Sequence, residues 1–302
     1  MVSFISTPTY VLSKCLDQWI KNTIDHSSKY SVSNSIELVN KIQDVKPPKE
    51  STLISLDVSG LFPNVPHAPT LLRLQDKIKE ARVPQEIGLE VVNLIKYCLG
   101  TNICQFRNQT YVYPDGIGVP IGSPLGSTLA EMFMCKFEEE FFESHPEVRK
   151  HIIYWHRYVD DIIILWDGPT EVFQHLLNSL NGRYPTIEFT AEFGGKEIGF
   201  LDLKISILQD KHSFGIHRKP SSTDIIINNS SYRSTVHKLA AFHSLIHRLV
   251  TIPLTDEELQ KEVSIIHHLA SVNGFTNMDI DRMVRKKFLK KSLDTTTARS
   301  CC

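Results

Sequence analysis

Apolar and polar positions divide the chain into a helical entry, a strand-rich middle and a helical end. Helical spacing predicts a helix over residues 10–24, a polar loop over 27–33 and a second helix over 35–42, stopped by Pro47-Pro48. Residues 52–58 (Thr-Leu-Ile-Ser-Leu-Asp-Val) alternate with period two, as a strand buried on one face does, and Asp57 stands at the strand's end. Two helical patterns follow, 69–82 and 84–99, the second opened by Pro84. Residues 104–113 alternate around Asn108-Gln109, which predicts a hairpin, and run into a Gly/Pro-rich loop from Pro114 to Gly126. Ser127 is the expected N-cap of a helix reaching about Glu143. The apolar runs 152–159 and 162–166 have only Asp160-Asp161 between them, so they predict a tight hairpin crowned by two acids. Further strands are expected over 186–193 and 198–208. Helices are expected over 235–250, over 255–272 with a Thr255/Glu258 capping box and an end near Gly274, and from about Asn277 onward.

Composition narrows the class. The chain has 302 residues, 41% hydrophobic and 22% charged, enough for a buried core and two or three cooperating subdomains. No apolar run approaches the roughly 18 residues that cross a bilayer, and the N-terminus lacks a basic lead, so an intracellular, non-membrane protein is expected. The six cysteines, Cys15, Cys98, Cys104, Cys135, Cys301 and Cys302, form no CxxC pair, which fits a reducing compartment. Net charge is −1, unevenly spread: residues 211–302 carry 14 Lys+Arg against 8 Asp+Glu, a net +6, leaving 19 against 26, a net −7, for residues 1–210. The acidic part suits cations and the basic part phosphates.

The chemistry follows from three acids. Transfer of a nucleotidyl group to a 3′-hydroxyl uses two divalent ions about 3.5–4 Å apart, and Mg2+ takes only one or two carboxylates per ion, with water and phosphate completing its shell. Asp57 at one strand end and Asp160 at a hairpin tip can meet across adjacent strands, with Asp161 as a peripheral ligand or positioning group. Each acid alone is more often a turn former or a solvated cap; it is their combination that points to catalysis. His243 and His247, four apart on a helix, have no acid beside them and are not read as a metal site.

Several further stretches carry a resemblance. Leu56-Asp57-Val58-Ser59-Gly60-Leu61-Phe62-Pro63-Asn64-Val65-Pro66, the run from Gly118 to Leu125, Tyr158-Val159-Asp160-Asp161, Gly199-Phe200-Leu201-Asp202 and His217-Arg218-Lys219-Pro220, together with Pro8 to Lys14, resemble in order and spacing the reverse transcriptases of Penelope-like retroelements. The resemblance implies an α+β right-hand polymerase palm with an antiparallel sheet, partial fingers over 1–50, palm over 51–208 with 67–118 inserted as fingers-like helices and a hairpin, and a basic helical thumb over 209–302. It implies an RNA-directed DNA polymerase that extends a DNA primer on an RNA template with dNTPs, using two Mg2+ ions that Mn2+ can replace.

In the same way the resemblance makes Asp57 and Asp160 metal ligands with Asp161 beside them, and lets the Val58 carbonyl contribute. Phe62 falls at the aromatic gate against the ribose 2′-hydroxyl, and Pro120, Ile121 and Gly122 lie against the incoming nucleotide. Tyr158, Phe200, Leu201, His217, Arg218 and Lys219 fall on the nucleic acid, with Arg285, Lys286 and Lys287 as second candidates. Ile121 stands where many reverse transcriptases carry Gln, and Gly126-Ser127 where Penelope-like copies carry Ser-Pro. An upstream Lys/Arg-bearing fingers segment is expected beyond Met1. The chain stops where many relatives continue into a GIY-YIG endonuclease domain, so no cleavage activity is expected. The alternative is a catalytically defective retroelement-derived protein that only binds nucleic acid; a two-metal nuclease ranks third, since a nuclease needs neither the gate nor the basic tail.

Overall fold

The computed structural model describes residues 4–299 apart from 6, 26–27, 102 and 220–222. The chain is α+β, in this order: α1 (Tyr10–Thr23), α2 (Ser35–Ile42), β1 (Thr52–Val58), α3 (Leu61–Asn64), α4 (His67–Glu80), α5 (Gln85–Gly100), β2 (Ile103–Phe106), β3 (Gln109–Val112), α6 (Gly126–Ser144), α7 (Pro146–Arg149), β4 (Ile152–Tyr158), β5 (Asp161–Trp166), α8 (Thr170–Arg183), β6 (Phe189–Gly195), β7 (Glu197–Phe200), β8 (Leu203–Leu208), β9 (Lys211–Ile216), α9 (Thr235–Thr251), α10 (Asp256–Val272) and α11 (Asn277–Arg299). Among the described residues no helix is long and apolar enough to cross a membrane. Cys301 and Cys302 lie outside the described residues.

Two compact units form. The first takes the residues up to Ser33 with Glu50–Phe193, the second Asn34–Lys49 with the residues from Gly194 onward. Residues 34–49 join the C-terminal unit because their contacts lie there: His212 Nδ1 meets the Val45 carbonyl at 3.1 Å and Lys196 Nζ donates to the Lys49 carbonyl at 2.5 Å.

The first unit is built on a four-stranded sheet ordered β4-β5-β1-β6. The β1–β5 ladder pairs Leu56 with Ile162 and Asp57 with Asp161. Since side chains alternate across a sheet, Ile54, Leu56, Val58, Ile162, Ile164 and Trp166 share one face. They join the core that α6 fills with Leu129, Phe133, Phe137 and Phe141. Fully burying one such side chain is worth about 1.5–3 kcal/mol, and the opposite face is buried too along most of its length, at Leu53, Ile163 and Leu165. The aromatic rings interlock, Phe137 stacking on Phe141 at 6.1 Å and meeting Phe189 at 5.3 Å.

The second unit combines the antiparallel β7-β8-β9 sheet with α9, α10 and α11. Its helical core comes from Phe242, Ile246, Leu249 and Val250 of α9 and Ile266, Leu269 and Ala270 of α10, spaced as one face of each helix. Thr255 caps α10, its hydroxyl accepting from the Glu258 N–H at 3.3 Å, as the capping box requires.

Three local expectations shift. The β2–β3 turn is Arg107-Asn108, at φ 49° and 60°, one residue earlier than Asn108-Gln109; both central residues are left-handed, as a type I′ turn needs. Leu125, not Ser127, is the N-cap of α6, and no side chain caps it. The strand expected over 198–208 is two strands, β7 and β8, folded at Leu201-Asp202, because Phe200 pairs with Leu203.

Candidate active site

Tyr158, Asp161 and Asp57 stand abreast at one end of the first sheet. Tyr158 pairs with Asp161 across the β4–β5 ladder and Asp161 with Asp57 across the β5–β1 ladder. Strand alternation puts these side chains on the face turned away from α6. The hairpin tip is therefore Val159-Asp160 and carries one acid. Asp161 sits on the ladder, which corrects the expectation of two acids at the tip.

The tip is locked to β1 by a hydrogen bond from the Val58 N–H to the Asp160 carbonyl, 3.1 Å. Val58 points its side chain into the core and is buried. Val159 has φ 57°, a left-handed conformation that is a genuine outlier for a β-branched residue and costs on the order of 1–3 kcal/mol. Strained backbone of this kind concentrates at functional sites.

Electrostatics single out Asp57 and Asp160. The Asp57 carboxyl is held above the ordinary carboxylate range, first by partial burial and then by the like charge of Asp160. Asp160 is the second cause of the shift, and it is the one that shows a like charge near Asp57. Among the described residues neither carboxylate is ion-paired. Two acids facing each other without a counter-charge fit a divalent cation, which takes one or two carboxylates and completes its shell with water and phosphate. The three acids are not gathered into one three-ligand cluster: among the described residues no three acidic, histidine or cysteine side chains could hold a metal ion by themselves.

Phe62 lies half-buried on α3 against the same core. A Cβ built on Gly126 would meet its ring at 3.6 Å. The loop that carries Pro120, Ile121 and Gly122 is fastened to α3 by hydrogen bonds from Val119 N–H to the Phe62 carbonyl, 2.7 Å, and from Gly118 N–H to the Val65 carbonyl, 2.8 Å. Gly118 is obligatory here: at φ 86°, a Cβ would lie 2.8 Å from both the Pro63 carbonyl and the Tyr113 ring. Beyond that anchor Ile121 and Gly122 are exposed, and the Cβ of Phe4 approaches to 3.7 Å from a Cβ placed at Gly122.

In the second unit Phe200, which the resemblance puts on the nucleic acid, is buried at 3% exposure. His217 packs its ring on Gly199, where any Cβ would clash at 2.5 Å. Arg218 is ion-paired with Glu262 of α10, which neutralises the charge assigned to phosphate, while Lys219 is exposed. Pro220 lies outside the described residues.

A charged cluster beside the hairpin was not anticipated. Arg157 on β4 is completely buried and bonded to Glu131 and Glu138 of α6. Its signal was a cation at an inward-facing strand position beside Trp155, with two glutamates seven apart on the preceding core helix.

The sequence matches the reverse transcriptase (RNA-dependent DNA polymerase) family over residues 4–189, more than half of the chain. The chain belongs to the reverse transcriptase family. Its polymerase-like fold is shared with solved structures at low identity. The telomerase from Candida albicans in complex with the TWJ fragment of telomeric RNA has TM-score 0.56 and 12% identity, covering 93% of this chain and 52% of that one. The apo telomerase from Candida tropicalis has TM-score 0.51 and 13% identity, with 95% and 51% covered. The polymerase complex inside a double-stranded RNA virus has TM-score 0.52 and 9% identity, with 89% and 25% covered. This family member thus spans about half the length of the telomerase structures it matches. No curated protein matches its sequence.

Proposed function

We propose that this chain is the polymerase core of an RNA-directed DNA polymerase of the Penelope-like kind, extending a DNA primer 3′-hydroxyl with dNTPs on an RNA template. The observation that carries this reading is the close pair of carboxylates without an ion partner among the described residues, Asp57 at the end of β1 and Asp160 at the tip of the strained β4–β5 hairpin. Asp57 and Asp160 would hold two Mg2+ ions, with the Val58 carbonyl contributing and Asp161 beside them. Bound there, such ions polarise the phosphoryl oxygens and lower the pKa of the attacking hydroxyl. The two acids supply the charge; the Val58–Asp160 bond keeps their spacing.

The remaining residues position substrate. The Phe62 ring, backed by α6, would fill the space that a ribose 2′-hydroxyl needs. Pro120, Ile121 and Gly122 would line the incoming nucleotide, the glycine allowing close backbone approach. Tyr158, on the open face beside Asp161, would lie under the primer end. His217, Lys219 and, once released from Glu262, Arg218 would meet phosphates, with Arg285, Lys286 and Lys287 of α11 adding a salt-sensitive grip.

Primer extension on an RNA template with Mg2+ tests this. The parent should extend and Asp160→Asn should not, while both bind the duplex. Equal extension by the two proteins would remove Asp160 from the site. Salt-sensitive binding without extension by the parent would select the binding-only alternative.

A further inference from the structure

The guanidinium of Arg157 has five N–H donors, and all five are used. Nε and Nη2 clasp Glu138 at 2.8 and 3.1 Å, and Nη1 and Nη2 clasp Glu131 at 2.7 and 3.2 Å. The fifth N–H, on Nη1, donates to the Val159 carbonyl at 3.2 Å. The two glutamates are themselves fixed: Glu138 also accepts from Trp155 Nε1 at 2.9 Å and from Ser28 Oγ at 3.4 Å, and both ride on α6. The backbone of Arg157 is held as well, its N–H donating to the Tyr30 carbonyl and its carbonyl accepting from the Val32 N–H, each at 2.8 Å. Burial alone would lower the Arg157 pKa, but the two carboxylates more than offset it and keep the group charged.

Such a cluster is more than a stability element. Buried ion pairs often break even against apolar packing, so the cluster by itself does not explain why one donor leaves it for a turn carbonyl. That carbonyl belongs to Val159, the left-handed β-branched residue next to Asp160. Resting on the polymerase reading of Asp57 and Asp160, and deepening it, we propose that Arg157 is the positioning residue of the hairpin. Its fifth N–H holds Val159 in the left-handed conformation that presents Asp160 to Asp57. The α6 glutamates aim that donor, so the helix that backs Phe62 and the tip that carries Asp160 are set by one rigid group.

Replacing Arg157 with Met would strand the buried Glu138 carboxylate and the half-buried Glu131 carboxylate and unfold the protein, so the informative variant is Arg157→Lys. Lysine keeps the charge but cannot clasp both glutamates and still reach a carbonyl. With melting temperature monitored, Arg157→Lys should raise the Mg2+ concentration for half-maximal extension roughly 10- to 100-fold, the range for groups that orient metal ligands. The same substitution in a Val159→Gly background should cost markedly less, because glycine adopts the turn without the bond. Backbone amide exchange at residues 159–161, measured on the proteins without substrate, should be faster in Arg157→Lys. Unchanged exchange at the turn, or an equal penalty with Val159 and with Gly at that position, would overturn the proposal. Faster exchange in proteins that all fail to extend a primer would uphold the role of Arg157 in the turn while rejecting the polymerase reading.

Discussion

The tips of the β4–β5 and β7–β8 hairpins are built alike and charged differently. Each is a two-residue turn with a bulky aliphatic residue at positive φ, Val159 at 57° and Leu201 at 55°, followed by an aspartate. In the second unit the aspartate is neutralised: Asp202 accepts from Ser35 Oγ, pairs with Arg248 of α9 at 3.3 Å and takes the His217 N–H on its carbonyl at 2.9 Å. In the first unit Asp160 has no basic partner among the described residues and lies near Asp57, and the turn is held from behind by Arg157. The difference separates two uses of one turn. Where the carboxylate serves structure, it is paired; where we propose that it holds a cation, the backbone is secured by a group bonded to the neighbouring Val159 carbonyl.

The comparison breaks or sharpens in four measurements. The largest effect is on catalysis: metal ions contribute several kcal/mol to the transition state, so Asp160→Asn should lower the extension rate by roughly a thousandfold or more. Asp202→Asn should stay within about tenfold, since the Asp202 carboxylate is engaged in structural pairs with Ser35 and Arg248. Losses of similar size in the two variants would erase the distinction.

Sugar selection should track the first unit, where Phe62 lies on α3, and not the second tip. Phe62→Ala should raise ribonucleotide incorporation relative to deoxynucleotide by about tenfold or more, the scale of a steric mismatch in a pocket, with Leu201→Ala unchanged in the same competition assay.

Stability should change with opposite signs. Asp202→Asn should cost about 1 kcal/mol or less, the scale of partly exposed ion pairs, read from denaturant unfolding. Asp57→Asn should instead give a small rise in melting temperature in the absence of divalent ions. The sign follows from linkage: the Asp57 pKa is raised on folding, so the native state holds the proton more tightly. Its penalty is absent below the ordinary carboxylate pKa, grows as pH rises through the raised value and persists at neutral pH. The advantage of Asp57→Asn should therefore vanish in acid, and Mg2+ should stabilise the parent more than the variant. A melting temperature that falls at neutral pH would mean that neither burial nor Asp160 disfavours the Asp57 carboxylate.

Much of this was legible in the residues. β1 alternates cleanly and ends where expected, and α1, α2, α9 and α10 follow their apolar stripes because local periodicity and core burial agree there. The nearness of Asp57 to Asp160 was readable as well, because a strand end and a hairpin tip can meet. The turn positions were not. Taking Val159 as the last strand residue was natural for a β-branched apolar side chain, yet the ladder pairs Tyr158 with Asp161, since Arg157 must face α6. That demand comes from glutamates 19 and 26 residues away in sequence, beyond any local pattern. The helix α8 left a signal that went unused, Phe173, Leu176 and Leu180 on one face after Pro169. β9 was hidden by its polar composition, Lys-His-Ser-Phe-Gly-Ile.

The space at Gly126 has a consequence of its own. A methyl group there would touch the Phe62 ring at an ordinary contact distance, with neither a backbone clash nor a left-handed residue to accommodate. The proposed sugar filter thus has an adjustable floor: small changes beneath the ring can stiffen or relax it while Asp57 and Asp160 stay untouched. A lineage carrying this architecture can retune which nucleotides it accepts without putting its chemistry at risk.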